Sequence, residues 1–307
     1  MLAVLLNSLA LVILASIFLF IFLFYLAFQF QTYSPKVSYF YLNLKDNQII
    51  KKTKQKTAGR LVFISDLHIH EYLPKHFLER VISKINALKP DALLIGGDYV
   101  VDSLTDLKLL NVLSKLNNYP KYGVLGNHDY DITGEEYGEN RFSTRNMEFA
   151  KQVEEILENN SINILRNEFI IIKLHEHSIG LFGTDELWSG NLSLDRYSDL
   201  LNNNIILTHN PKIFDELNKK NISLVLSGHN HGGGQMKLTK YISIHRLYML
   251  LPDRFSRWMK KGFNRMTCGL YTNKHGLKLY LSRGIGMTTV SVRINCAPEI
   301  TVIDLVA

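Results

Sequence analysis

The sequence predicts a layered α/β domain that follows a single membrane-spanning helix. Three observations predict it: short apolar runs alternate with helical patterns, several of these runs end in glycine-rich polar clusters, and the first thirty residues are almost wholly apolar. About 270 residues remain after that segment, which is enough for one large domain or two small ones. We expect an anchor over residues 1–33, a basic linker over 34–57 and one domain over 58–307, with a basic amphipathic insert around 244–265.

The N-terminal segment is long enough to cross a bilayer. Residues 9–28 are apolar with Ser16 as the polar exception, and at 1.5 Å per residue a helix of this length spans the hydrocarbon core. A cleaved signal peptide is the alternative, but it predicts a basic start, a shorter apolar core and a small-residue cleavage site. Because Lys and Arg first occur at Lys36, the positive-inside rule predicts an inner-membrane protein with a cytoplasmic domain.

The charge and the cysteine count narrow the class of protein. The net charge of +7 suits acidic partners such as phosphorylated substrates, anionic lipid surfaces or nucleic acid. The two cysteines, Cys268 and Cys296, are too few for a disulfide framework and fit a reducing compartment, although a single disulfide bond between them remains an alternative.

The elements follow one another in a regular alternation. Apolar runs bounded by turn residues predict strands at 61–64, 92–95, 122–125, 205–207, 224–226, 277–281 and 300–306, with a hairpin from 169–174 and 178–182 and a further strand beginning at 39–41. Apolar residues at helical spacing predict helices after Pro74, over 104–116 and over 146–158. Strands that alternate with helices indicate α/β layering.

Five polar clusters directly follow or end five of these strands. They are Asp66-Leu67-His68, Gly97-Asp98, Gly126-Asn127-His128-Asp129, Thr208-His209-Asn210 and Gly228-His229-Asn230-His231-Gly232. A single cluster of this kind is usually an ordinary turn. In layered α/β proteins, however, ligands bind beyond the carboxyl ends of the strands, and five clusters at strand ends would meet there. Carboxylate, imidazole and amide groups suit Mn²⁺, Fe or Zn²⁺. The sequence therefore predicts a metal centre.

These motifs, in this order, resemble those of the calcineurin-like metallophosphoesterase family over about residues 60–307. The family pattern is Asp-x-His, Gly-Asp, Gly-Asn-His-(Asp/Glu), a lone His and Gly-His-x-His. The resemblance implies a four-layer αββα sandwich, in which two mixed sheets are flanked by helices.

The resemblance also implies two cation sites and the role of each residue. The first site would consist of Asp66, His68 and His231, and the second of Asn127, His209 and His229. Asp98 would bridge both cations, with Mn²⁺ preferred and Fe or Zn²⁺ as alternatives. A hydroxide held between the cations would attack phosphorus in line. His128 would stabilise or protonate the leaving oxygen, and Asp129 would orient His128.

A basic and aromatic stretch over 253–263 predicts an amphipathic helix. Its apolar side carries Phe255, Trp258, Met259 and Phe263, and its other side carries Arg254, Arg257, Lys260 and Lys261. This pattern is typical of a helix in a membrane interface. A surface helix that packs on its own domain is an alternative, and nucleic-acid binding is a less favoured one.

Within the family, the tail over 282–286 and 297–301 resembles that of membrane-anchored bacterial phosphodiesterases, one branch of which hydrolyses UDP-2,3-diacylglucosamine in lipid A biosynthesis. We therefore expect hydrolysis of a phosphodiester or pyrophosphate in a lipid-linked substrate, with the bilayer as a partner. Trp258, Arg257 and Arg283 are candidate substrate contacts, although Arg283 fits a structural ion pair equally well. A nuclease or cyclic-nucleotide phosphodiesterase is an alternative, and a non-catalytic metal-binding scaffold is another. The oligomeric state stays open.

Overall fold

The computed structural model describes residues 2–132, 145–218, 220–235, 266–288 and 292–307. Its helices are α1 (Leu2–Thr32), α2 (Lys75–Leu88) and α3 (Met147–Asn159). Its strands are β1 (Lys36–Asn43), β2 (Ile49–Ile50), β3 (Thr57–Ile64), β4 (Ala92–Ile95), β5 (Lys121–Gly123), β6 (Asn163–Ile164), β7 (Glu168–Leu174), β8 (His177–Gly183), β9 (Asn204–Thr208), β10 (Ile222–Ser227), β11 (Gly269–Thr272), β12 (Lys278–Leu281) and β13 (Glu299–Val306). Every strand predicted from the sequence is present, within a few residues of the expected bounds, whereas β2, β6 and β11 were not predicted.

The strands form two mixed sheets. The first has the order β2-β1-β13-β3-β4-β5-β6, and the second has the order β11-β12-β10-β9-β8-β7. In the first sheet β3 to β6 run parallel, while β13 is antiparallel to β3. In the second sheet β8, β9, β10 and β12 are parallel, and the edge strands β7 and β11 are antiparallel to their neighbours. The prediction of two mixed sheets is confirmed.

The two sheets pack face to face over an apolar core. Phe63 and Leu94 of the first sheet share this cluster with Leu181, Ile205 and Leu226 of the second. Strands such as β4 and β9 are buried along their whole length, which explains why they appear in the sequence as continuous apolar runs rather than alternating ones.

Helices cover the outer face of the first sheet. Phe77 of α2 and Val153 of α3 join Val62 and Leu93 in one cluster. On the outer face of the second sheet, the described residues contribute a 3₁₀ helix at Pro211–Asp215 and adjoining loop residues. In this part of the chain the fourth layer is therefore less regular than the α-helical layer that the resemblance implied.

One predicted helix has a different geometry. The range 104–116 forms a 3₁₀ helix at Leu107–Lys115, and the Asp106 side chain caps it by accepting a hydrogen bond from the Lys108 amide at 3.0 Å. Apolar residues three positions apart share one side of either helix type, as the buried Leu110, Leu113 and Leu116 do here. The spacing therefore predicted the buried face but could not distinguish the two geometries.

The range 34–57, predicted as a basic linker, contains β1, β2 and the first residue of β3. All eight residues of β1 pair in parallel with β13, from Lys36 opposite Glu299 to Asn43 opposite Val306. Phe40 and Leu42 are buried, and they provide the inward face that the surrounding Lys, Asn and Thr residues concealed. The linker prediction is therefore wrong for the part that joins the sheet.

The apolar N-terminus forms a continuous helix, and α1 ends against the domain. The Tyr33 ring lies 5.4 Å from that of Phe77, and Arg80 donates a hydrogen bond to the Tyr33 carbonyl at 3.2 Å. Over the described residues, no helix meets the combined length and apolarity expected of a membrane span, so the anchor stays a prediction. The amphipathic insert around 244–265, with Trp258 and Arg257, lies outside the described residues.

Candidate metal centre

The carboxyl ends of strands from both sheets meet at one edge of the sandwich. Loops after β3, β4 and β5 of the first sheet face loops after β9 and β10 of the second. The metal-binding atoms there fall into two groups, each with all atoms within 4.8 Å of one another. The first group is Asp66, His68, Asp98 and His231, and the second is Asp98, His209 and His229. Asp98 belongs to both groups.

The backbone at this edge adopts conformations that side chains usually avoid. A left-handed φ, between 42° and 75°, occurs at five of the positions that were predicted to bind cations: Asp66, His68, Asp98, His229 and His231. Such backbone costs of order 1 kcal/mol per residue and is concentrated at functional sites. Gly126 is required here, because a Cβ atom on it would lie 2.1 Å from an Asp98 carboxylate oxygen.

Lone pairs converge within the first group. The Nε2 atoms of His68 and His231 lie 2.9 Å apart, and His68 Nε2 lies 3.4 Å from Asp98 Oδ2. Burial lowers the pKa of both imidazoles well below the ordinary value, so both rings are neutral. The buried Asp66 Oδ2 atom has no hydrogen-bond partner. A cation at this place would satisfy all these atoms.

The second group is joined by an amide oxygen. Asn127 Oδ1 lies 3.1 Å from His209 Nε2 and 3.0 Å from His229 Nδ1. The Asn127 amide nitrogen donates to the Ile132 carbonyl at 2.7 Å, which directs the amide oxygen toward the group. Carboxylate, amide oxygen and imidazole nitrogen form a donor set that fits Mn²⁺, Fe or Zn²⁺. The side chains present therefore fit two cations.

His209 is prepared for a ligand role by its other ring nitrogen. Nδ1 lies 2.8 Å from the Gly96 carbonyl and donates to it, so Nε2 is the atom that faces the group. Burial alone would lower the pKa of His209, but the adjacent Asp98 carboxylate outweighs burial and raises it to about 10. For His229, burial and the nearby His209 lower the pKa to about 3.

Asp98 is a carboxylate held between the two groups. Its Oδ2 atom lies 3.1 Å from His209 Nε2, and its Oδ1 atom accepts a hydrogen bond from the His128 amide at 3.0 Å. Burial favours the neutral acid, but the imidazoles of His209 and His128 together hold the pKa of Asp98 well below its ordinary value. The residue therefore supplies negative charge at the point that both groups share.

His128 lies beside the first group and outside both. Its ring is 4.7 Å from that of His68, and it is partly exposed. Nδ1 contacts the Val101 carbonyl, so this carbonyl orients the ring. The prediction that Asp129 orients His128 is wrong, because the hydrogen bonds described for the Asp129 side chain all come from main-chain amides.

Asp129 instead joins the loops after β4 and β5. Its carboxylate accepts from the amides of Asp98 at 2.9 Å, Tyr99 at 2.8 Å and Gly126 at 2.8 Å. Burial, together with repulsion from Asp98, raises the pKa of Asp129 to about 7. The side chain thereby fixes the backbone that carries the shared carboxylate.

We expect Asp129→Asn to destabilise the protein rather than to change the chemistry directly. The amide group replaces one acceptor oxygen by a donor, so main-chain N–H groups of the Asp98 loop lose their partner. The free energy of unfolding should fall by about 1–3 kcal/mol, as measured by urea denaturation. Asp131→Asn is the control, because Asp131 bonds to the exposed Ser103 and its replacement should cost less. Equal stability of the Asp129 variant and the wild type would contradict this role.

The Arg283 side chain forms an ion pair within the protein. Its Nη2 atom lies 2.9 Å from Glu299 Oε1, and its amide donates to the same carboxylate at 3.2 Å. This contact matches the structural alternative. A contact between Arg283 and substrate stays a prediction.

Glu186 is a buried acid near the centre that the sequence interpretation missed. Its Oε2 atom accepts from the Trp188 amide, its Oε1 atom has no hydrogen-bond partner, and the Trp188 ring lies 5.1 Å from the His229 ring. Burial raises the pKa of Glu186 to about 7. A signal was present, because Thr184-Asp185-Glu186 follows the predicted strand 178–182 just as the five ligand clusters follow theirs.

The metal-free protein should lose stability through Glu186 as pH rises. The pKa in the folded state, about 7, lies above the ordinary value of 4.5. Between these values the unfolded chain releases the proton while the folded chain keeps it. From pH 4.5 to 7 the wild type should therefore lose about 3 kcal/mol relative to Glu186→Gln. Urea denaturation across this range measures the difference, and a difference that is independent of pH would refute the expectation.

Comparison with known proteins identifies the class to which this fold and site belong. The family model described as calcineurin-like phosphoesterase matches residues 59–233. The chain belongs to the calcineurin-like metallophosphoesterase family and is a phosphoester hydrolase. The matched range contains all six residues of the two groups and Asn127 beside them.

The chain is similar to curated bacterial proteins. It is 29% identical to phosphodiesterase YaeI of Escherichia coli, over 80% of this chain and 82% of that protein. It is 30% identical to the uncharacterized metallophosphoesterase Cj0846 of Campylobacter jejuni, over 80% of this chain and 59% of that protein. It is 28% identical to UDP-2,3-diacylglucosamine pyrophosphatase LpxG of Chlamydia muridarum, over 61% of this chain and 68% of that protein.

Proposed function

We propose that this protein uses two divalent cations to hydrolyse a phosphodiester or pyrophosphate bond in a lipid-linked substrate at the cytoplasmic face of the inner membrane. The observation that carries the proposal is the pair of ligand groups that share Asp98. In the proposed centre the first cation binds Asp66, His68 and His231. The second binds Asn127, His209 and His229, with Mn²⁺ as the preferred metal.

Two cations in such a centre lower the pKa of a bound water and neutralise the charge of the phosphoryl oxygens. The chain supplies positioning. Asp98 provides the carboxylate that the two groups share, and Asp129 fixes the backbone that carries Asp98. Because the ligand atoms are buried, the bound phosphoryl group meets a site of low dielectric, where charge interactions are strong.

His128 is the residue placed to move a proton. Its Nδ1 atom is occupied by the Val101 carbonyl, so proton transfer takes place at Nε2. The ring is partly exposed, whereas the neighbouring His68 is fully buried, and substrate can therefore reach it. We propose that His128 donates a proton to the leaving oxygen, which is general acid catalysis.

The lipid-linked substrate is supported by two observations of different kinds. One relative is named for pyrophosphatase activity on UDP-2,3-diacylglucosamine. In addition, α1 exposes large apolar side chains, with Phe18 at 72% and Phe20 at 70% exposure. Apolar surface on this scale is costly in water and favours a bilayer around the helix.

The test compares two substrates on the same protein. Full-length protein in detergent, loaded with Mn²⁺, is assayed with UDP-2,3-diacylglucosamine and with bis-p-nitrophenyl phosphate. The proposal expects release of UMP and lipid phosphate at a higher kcat/KM than hydrolysis of the aryl diester. Turnover of the aryl diester alone would remove the lipid-linked substrate and leave the phosphoesterase activity in place.

A nuclease or cyclic-nucleotide phosphodiesterase is the second candidate, and the name of the relative YaeI, a phosphodiesterase, is consistent with it. Single-stranded DNA and cyclic AMP belong in the same assay, because a nuclease or cyclic-nucleotide phosphodiesterase would hydrolyse one of them. A non-catalytic scaffold would bind Mn²⁺ and leave every substrate intact.

A further inference from the structure

A buried arginine lies directly behind the first ligand group. Arg293 is fully buried, and its guanidinium donates to the carbonyl oxygens of Arg283 at 2.9 Å and Cys296 at 3.2 Å. Both Nε and Nη2 donate to the Gly286 carbonyl. In the described part of the chain, no ion pair joins Arg293 to a carboxylate. Burial of a guanidinium is costly unless its hydrogen bonds are satisfied, and here main-chain carbonyls satisfy them.

The loop that Arg293 holds is packed on Asp66. The Gly286 amide donates to the Asp66 carbonyl at 2.7 Å, and the Ile285 amide donates to the Ser65 carbonyl at 2.9 Å. A Cβ atom on Gly284, whose φ is +72°, would lie 2.8 Å from the Asp66 Cβ atom. The loop therefore fixes both the main chain and the side-chain position of this ligand.

Arg293 and its partners also reach the other end of the same group. The Nη2 atom lies 3.5 Å from His231 Nδ1, and the Cys296 thiol contacts the His231 carbonyl at 3.4 Å. Two ligands that belong only to the first group, Asp66 and His231, thus depend on a single side chain, although they are 165 residues apart in the sequence.

Two ligands of the proposed second site are supported elsewhere. His209 is oriented by the Gly96 carbonyl, and Asn127 is oriented by the Ile132 carbonyl. Neither of these contacts involves Arg293 or the loop over 283–286. These two ligands therefore have supports of their own, whereas His229 is linked to the first group, because its amide donates to Asp66 Oδ1 at 2.7 Å.

We propose that Arg293 is a positioning residue for the first cation site alone, and that it holds Asp66 and His231 at the separation that binds one of the two cations. This inference rests on the two-cation centre of the proposed function. It predicts a selective defect, in which loss of the guanidinium weakens one cation site and leaves the other intact.

The test measures metal binding rather than activity. Metal-free, full-length protein in detergent is titrated with Mn²⁺ by equilibrium dialysis, and bound metal is measured by elemental analysis. The wild type should bind two equivalents. Arg293→Lys keeps the charge but replaces the planar fork of three nitrogens by a single ammonium, which cannot reproduce the four hydrogen bonds made from Nε, Nη1 and Nη2. One equivalent should therefore bind about 10–100-fold more weakly while the other is unchanged.

Arg60→Lys is the matched control. Arg60 is a partly buried arginine of β3, with hydrogen bonds to Asp304 at 2.7 and 3.0 Å and to the Leu88 carbonyl at 3.2 Å. It lies near the start of β3, far along the strand from Asp66, so both equivalents should stay. A wild type with fewer than two equivalents would refute the two-cation centre. Two unchanged equivalents in Arg293→Lys would overturn only the role of Arg293.

Hydrogen exchange gives a second readout that needs no variant to fold. The amides of Ile285 and Gly286 are bonded to the Asp66 segment. If Arg293 couples this loop to the first site, saturation of the wild type with Mn²⁺ should slow exchange in a peptide that contains both amides, by at least about tenfold. Exchange that is unaffected by Mn²⁺ would overturn the inference.

Discussion

Asp98→Asn should abolish hydrolysis more completely than the loss of any other single ligand. The substitution keeps the shape and the acceptor for the His128 amide, but it removes the charge that both ligand groups share. We expect both cations to bind weakly and kcat/KM to fall by at least about 10³-fold, which corresponds to about 4 kcal/mol of transition-state stabilisation. Metal analysis and steady-state kinetics with an aryl phosphodiester measure the two effects.

His229→Ala is the comparison for this prediction. His229 belongs only to the second group, so its loss should weaken one cation and leave the first group able to bind. The variant should therefore retain close to one equivalent of metal and more activity than Asp98→Asn. If both variants lose the same metal and the same activity, Asp98 does not bridge the two sites.

His128→Gln should produce a defect that depends on the leaving group. A histidine that protonates the departing oxygen contributes about 10²–10⁴-fold, but only when that oxygen needs the proton. Hydrolysis of a diester with a poor alkyl leaving group should fall by this factor. Hydrolysis of a nitrophenyl ester, whose phenolate departs unprotonated, should fall far less.

Metal content separates this role from a structural one. His128 lies outside both ligand groups, so His128→Gln should bind the same two equivalents as the wild type. A loss of activity that is equal for both leaving groups would contradict proton donation. A loss of bound metal would instead place His128 among the groups that support the centre.

The convergence of the ligands was predictable because the signal is local. Each ligand cluster directly follows or ends a short apolar strand, and parallel strands bring their carboxyl ends to one edge. Asp66 after β3 and His229 after β10 illustrate this, since the His229 amide donates to Asp66 Oδ1 at 2.7 Å. The strand ends thus predicted that the clusters meet, while the resemblance to the family supplied which residues share a cation site; neither predicted the distances.

The supporting residues were less predictable, for different reasons. The role of Asp129 could not be deduced, because hydrogen bonds to main-chain amides leave no pattern in the side-chain sequence. Arg293 stands alone between Val292 and Ile294, with no neighbouring cluster that would mark it. The strand β1 was only partly predicted, from 39–41, because its pairing with β13 joins residues more than 250 positions apart, beyond the reach of any local window.

The contact at the end of α1 decides where a soluble fragment can begin. Thr32, the last residue of that helix, is only 2% exposed, and its hydroxyl accepts a hydrogen bond from the Arg293 amide at 3.1 Å. A fragment that starts at residue 58 would discard this hydroxyl together with β1, and it would open the edge of β13 to other chains. Fragments intended for crystallisation or metal titration should therefore retain Thr32 and lose only the apolar turns before it.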